Sequence, residues 1–328
     1  MFERLLMYNE EKPKKKRFKL FDTQREGKGV SKEEANLPPK LKKFFLLYRR
    51  DFGRLLSVNI LMVLGNFPVL FLVLALSGIF NLEFAAHNTQ PYTVFSGIFA
   101  HEGFSAPLLA LNGILGAPTL GSVYTLPTYI FIGIGTLTLF TFGLVNVGTT
   151  YLLRNMVMGE PVFIWSDFWY AVRRNFKQGF FFGILDAILI ALIPMNVMIL
   201  SQGTGFLNGI LFWLNLVIGL LYLMMRCYIY LQMITFDLSV KKILKNSLIF
   251  SFIGFKRLIL AFVGNLILIF LVLGLAYSGA MLALAVALPL TVLFSNCAYM
   301  TTYAAYFKIK EVMIDPYNEE SKEATSDT

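Results

Sequence analysis

Six apolar runs, each long enough to cross a bilayer, constrain this chain more than any other feature. A hydrocarbon core of about 30 Å needs roughly 20 helical residues. The runs cover approximately Leu55–Phe80, Thr128–Leu153, Gly179–Leu200, Phe206–Gln232, Leu258–Leu275 and Ala280–Phe307. Only residues 201–205 separate the third run from the fourth, and a few residues around Tyr277 separate the fifth from the sixth, so both pairs read as tight helical hairpins. Composition agrees: 56% of residues are hydrophobic and 15% charged, with 32 Phe and 15 Tyr, against about 45–50% and about 25% in soluble domains. A water-soluble enzyme and a disordered chain are excluded. The expected fold class is all-α, a polytopic membrane protein with six transmembrane helices arranged as three hairpins, each preceded by an interfacial amphipathic helix. The first run is no cleavable signal, because its polar flank exceeds fifty residues and the run outlasts an ordinary signal core.

The net charge of +9 would suggest nucleic acid in a soluble protein, but its distribution argues for lipid. Residues 1–54 hold 16 Lys and Arg against 8 Asp and Glu. Taken on alternate sides of the six runs, 28 of the 29 basic residues fall on one side, the exception being Arg226 inside the fourth run. The other side, including 81–127, carries none. The positive-inside rule then puts both termini in the cytoplasm, and an odd number of spans would destroy the asymmetry. The partner implied is the bilayer, with no role for nucleic acid.

Three regions follow: a basic tail over 1–40, a membrane domain over 41–307 with an extracytoplasmic insertion at 81–127, and a short C-terminal tail over 308–328. The run from Lys12 to Arg17 serves as a topology signal or as a contact to anionic lipid. The insertion has two acids, Glu83 and Glu102, and both histidines, His87 and His101. No third ligand stands at a useful spacing, so neither a metal nor any other cofactor is expected. Its apolar, Gly-rich stretch over 95–120 reads as a re-entrant or interfacial segment, or as a surface packing on a partner. Cys227 and Cys297 lie within apolar runs and read as buried thiols. The nucleotide-binding, zinc-protease and nucleophile-elbow motifs are absent, so no catalytic residue is assigned.

An internal repeat leads into the odd-numbered runs. Phe44 to Phe52 (FFLLYRRDF) matches Phe168 to Phe176 (FWYAVRRNF) in character at each position, and Phe250 to Arg257 is a looser copy. Phe176 lies ten residues before Asp186, as Phe255 does before Asn265. In the second copy Trp165, Phe168, Trp169, Val172 and Phe176 recur at three- and four-residue steps, opposite Asp167, Arg173, Arg174 and Lys177. Such a helix lies in the headgroup region as an anchor or a partner surface, with Ser166 or Asp167 capping its start.

Asp186 and Arg226 are the charges left inside the runs. Each stands six or seven residues from the basic side, roughly 10 Å deep, on the two arms of one hairpin. An ion pair between them would limit the cost of burying either. A proton or substrate relay through Asp186 and snorkelling of Arg226 are the alternatives. Asn59, Asn66, Asn146, Asn196, Asn215 and Asn296 read mainly as interhelical glue.

The stretch Phe142-Gly-Leu-Val-Asn-Val-Gly-Thr-Thr-Tyr151, then Arg154, Gly159-Glu160-Pro161, Asp167-Phe168-Trp169 and Asn175-Phe176-Lys177-Gln178-Gly179 resembles the core signature of the YesL-like membrane protein family, also called domain of unknown function 624. The resemblance runs from about Leu41 through the sixth run, with Asn66-Phe67-Pro68 at the family's Pro near the end of the first span. The basic tail and the long insertion depart from it. The resemblance implies a multi-pass protein of a Gram-positive cell membrane, associated with carbohydrate ABC uptake systems. A non-enzymatic accessory to an ABC permease and its ATPase is therefore the leading expectation. An autonomous small-molecule transporter or channel, and a membrane-anchored scaffold or sensor, are the alternatives.

Overall fold

A computed structural model describes residues 38–86, 110, 119–279 and 281–316. Most of the basic tail, most of the insertion with His87, His101 and Glu102, and residues 317–328 lie outside the described residues. The chain is an all-α polytopic membrane protein. Among the described residues five helices are long and apolar enough to span a bilayer, and a bent pair makes six.

That bent pair is α1 (Leu41–Gly65) and α2 (Pro68–Leu76), which meet at 57°. Pro68 has no N–H for the Leu64 carbonyl, which accepts from Phe67 in a tighter turn at 3.3 Å. The second span is α3 (Leu126–Thr136) continued by α4 (Thr138–Met158). Between the first two spans the insertion starts and ends as an antiparallel ribbon, β1 (Leu82–Ala86) on β2 (Thr119–Val123), with Leu82 opposite Val123. Next come α5 (Ile164–Arg174), α6 (Phe176–Gln202), α7 (Phe206–Thr235), α8 (Val240–Ile253) and α9 (Phe255–Tyr277). The last span comprises α10 (Leu282–Leu288), a π-helical turn at Pro289–Leu293, α11 (Phe294–Ile309) and a second π-helical turn at Lys310–Ile314.

The expectation of a separate interfacial helix before every hairpin needs correction. α5 and α8 are separate, but residues 44–52 run without a break into the first span as one 25-residue helix. The difference lies in the matched positions. Asn175 takes φ −109° and ψ 20°, and its side-chain amide donates to the Ala171 carbonyl, while Gly254 has φ −93° and ψ 7°. Both leave helical geometry for the bridge region. Asp51, at the Asn175 position, stays helical, held by Arg50 at 2.6 Å and by Arg54 one turn on at 2.7 Å.

The core gathers at the end where the described termini and the 159–163 and 236–239 linkers meet, hereafter the basic end. α6 buries Gly179, Phe182, Gly183 and Asp186, all in its first three turns, and α7 buries chiefly Met224 and Tyr228–Ile234. Long side chains lock this end by bonding carbonyls at helix C-termini and in the 236–239 linker. Gly159, at φ 87°, closes α4, with its own N–H bonded to Met156 and that of Glu160 to Asn155; a left-handed cap of this kind favours glycine. Arg50 of α1 donates to the Met156 and Gly159 carbonyls, Arg154 to Ile234, and Gln178 to Leu238. Two glycines allow the tightest crossing: a methyl group on Gly143 of α4 or Gly183 of α6 would strike the other helix's backbone. Lipid offers little hydrophobic drive for helix association, so close backbone approach of this kind supplies the attraction.

Candidate functional site

The functional candidates stand on a buried charge cluster, the cavity beside it and the surface helix α5. Asp186 is fully buried on α6. Arg226 Nε of α7 donates to both of its carboxylate oxygens at 2.9 Å. Tyr222 donates to Oδ1 and Tyr230 to Oδ2, each at 2.6 Å. The two tyrosines, one turn before and one turn after Arg226, escaped the reading of the sequence, although their i±4 spacing from an intramembrane arginine was the available signal. Four charge-assisted hydrogen bonds compensate the buried carboxylate. The guanidinium lies 5.3 Å from the Phe142 ring centroid and 5.2 Å from that of Tyr230, within cation–π range.

The same arginine reaches the wall of a partly open cavity of about 760 Å³ between α1–α2, α4, α7, α9 and the last span. Its inward lining includes the polar Arg226, Tyr230, Thr301 and Thr302 beside the apolar Phe262 and Ala298; its outer wall is apolar, with the exposed Val69, Leu70, Val286 and Leu290. Cys227 and Cys297, expected to be buried, are half-buried on this wall and free of disulfide.

Of the six asparagines expected to act as glue, Asn196 is exposed and the other five divide into two groups, with Asn265, outside that expectation, joining the first. Asn59 donates to the Pro289 carbonyl and accepts from the Ser295 N–H, each at 2.9 Å, bridging α1 to the π-helical turn and the start of α11. Asn215 donates to Ile193, Asn265 to Cys297, and Asn296 accepts from Tyr48. Asn66 and Asn146 bond back to their own helices, at the Met62 and Phe142 carbonyls.

α5 does not present one undivided apolar face. Phe168 and Val172 turn inward with Ala171, the Phe168 ring filling the space that a side chain at Gly148 would need. Trp165, Trp169, Arg173 and Arg174 stay exposed on α5, whereas Phe176 and Lys177, expected on the same helix, stand exposed at the start of α6, beyond the break at Asn175. Asp167 caps the helix by accepting from the Phe163 N–H at 2.8 Å.

Among the described residues no group of His, Cys, Asp and Glu has the arrangement of a metal site. The chain matches no family model, no curated protein and no solved structure.

Proposed function

We propose that this chain is a non-enzymatic integral membrane accessory protein of a carbohydrate ABC uptake system, with both termini in the cytoplasm of a Gram-positive cell. The observation that carries the reading is the outer face of α5. Trp165 and Trp169 project beside Arg173 and Arg174 at the basic end, with Lys177 following at the start of α6, while Phe168 and Val172 fix the helix to the bundle. A rigid aromatic and basic ridge of this kind suits a partner at the membrane interface, where Trp and Arg anchor contacts. The residues that resemble the YesL-like signature form the α4–α5–α6 corner that holds the ridge. Native purification in mild detergent, followed by mass spectrometry, tests the reading. A permease and its ATPase at near-equal amounts are expected, and they are lost from Trp169→Ala combined with Arg173→Glu and Arg174→Glu. Their absence from the unaltered protein overturns it.

The cavity favours a second reading, an autonomous small-molecule transporter. On that reading Asp186→Asn abolishes transport in proteoliposomes while the bundle remains folded.

A further inference from the structure

We propose that the cavity binds an uncharged single-chain amphiphile whose head carries hydroxyl donors and a carbonyl acceptor, a monoacylglycerol being the simplest example. The asparagines define the head. Asn66, Asn146 and Asn265 all face the cavity, and their side-chain NH2 groups donate to the carbonyls of Met62, Phe142 and Cys297. A backbone carbonyl can only accept, so the amide orientation is set by chemistry and each Oδ1 is left as an acceptor. Among the described residues, Asn66 Oδ1 and Asn265 Oδ1 are buried without a partner. A buried acceptor left unpaired costs about 1–3 kcal/mol, and a ligand hydroxyl toward which either side chain turns would relieve that cost.

Arg226 sets the charge. It engages Asp186 through Nε, which leaves its terminal N–H groups as the donors on the cavity side. The pair with Asp186 is already neutral, so the complementary group is a polar acceptor such as an ester carbonyl, with no net charge to desolvate. The outer wall accounts for the chain. Leu70, Val286 and Leu290 line it and are also exposed on the lipid-facing surface, so the cavity is continuous with the bilayer side of the bundle. A free sugar would set hydroxyls against this wall without partners, at a cost in every unmade bond. A volume of about 760 Å³ falls within the roughly 300–1,000 Å³ of small-molecule sites.

The inference deepens the transporter reading as far as binding alone. A probe that binds but is not carried across proteoliposomes ends that reading and leaves this one standing.

The two cysteines provide the test, since the chain has no others and both lie on the wall. The full chain in phosphatidylcholine nanodiscs is treated with N-ethylmaleimide, and each site's alkylation rate is followed by mass spectrometry. Monoolein should slow alkylation of Cys227 and Cys297 by about tenfold at ten times its Kd. Glycerol, which is head alone, and 1-octadecene, which is tail alone, should give less than about a twofold effect. Asn265→Leu should remove the protection with the unprotected rate unchanged. Asn146→Leu, whose amide bonds only its own helix, gives the same reading should the first variant fail to fold. Cysteines that do not alkylate without probe, absence of protection by monoolein, equal protection by octadecene, or protection retained in a folded asparagine variant would each overturn the proposal.

Discussion

The basic half of the bundle and its far half are built from equally apolar helices, yet they are held together differently. In the basic half, helices meet through glycines, an ion pair and side chains that bond the neighbouring helix ends. In the far half, α7 exposes Phe206, Leu207, Trp213 and Leu214, and α9 buries only Leu258, at its basic end. The last span likewise keeps most of its buried residues in α11. Lipid is as apolar as leucine, so apolarity alone cannot pull the far ends together. Packing concentrates where small residues and polar bonds exist, which in the far half means the α2–α3 pair, where Gly135 lies against the Leu72 backbone, and the bond from Asn215 to Ile193. The difference teaches that spanning the membrane and packing within it are separate properties of one helix.

The ion pair should give the largest effect. Asp186→Leu or Arg226→Leu alone leaves a buried charge without its partner and should cost about 3–5 kcal/mol. The double variant should recover much of that loss, because an apolar pair often replaces a buried ion pair at little cost. Unfolding by graded denaturing detergent measures all three, and a double variant as unstable as the singles would break the account. Next comes the glycine crossing. Gly183→Val forces a side chain into the Gly143 backbone and should cost about 1–3 kcal/mol or more. Gly209→Val on α7, where a methyl group meets nothing within 4 Å, should fall within about 0.5 kcal/mol of the parent. Asn59→Leu falls between these two: it removes the bond to Pro289 of the π-helical turn and the bond from Ser295 of α11, and intramembrane side-chain bonds average about 0.6 kcal/mol each. A Tm shift no larger than that of Gly209→Val would deny Asn59 its bridging role.

What composition controls is legible in the sequence, and what depends on neighbours is not. Six spans follow from run length, and the juxtaposition of Asp186 with Arg226 follows from equal depth on two arms of one tight hairpin. The fusion of residues 44–52 into α1 was not legible, because it turns on Asp51 replacing an asparagine and gaining two arginine partners. Asp51 itself was hidden in a segment read as interfacial, whereas its side chain is fully buried. The divided face of α5 depends on Gly148 of another helix leaving room for Phe168, which spacing along α5 cannot reveal. The cavity needs the order of the helices, and an apolar periodicity that satisfies lipid and protein alike carries no such order.

The smallest effect is expected at Leu214, half exposed on the far half of α7. Its side chain meets lipid both in the bundle and in separated helices, so Leu214→Ala should change stability by no more than about 0.5 kcal/mol in purified protein. The same substitution sharpens the comparison when measured twice. If a permease covers the far half in the native membrane, Leu214→Ala should speed the chain's turnover in cells that express the permease and leave purified stability unchanged. Equal turnover with and without the permease would mean that lipid alone faces this surface, and the contact would then fall to α5 at the basic end. A large loss in the purified protein would mean that the far half packs against itself, which would remove the contrast between the two halves.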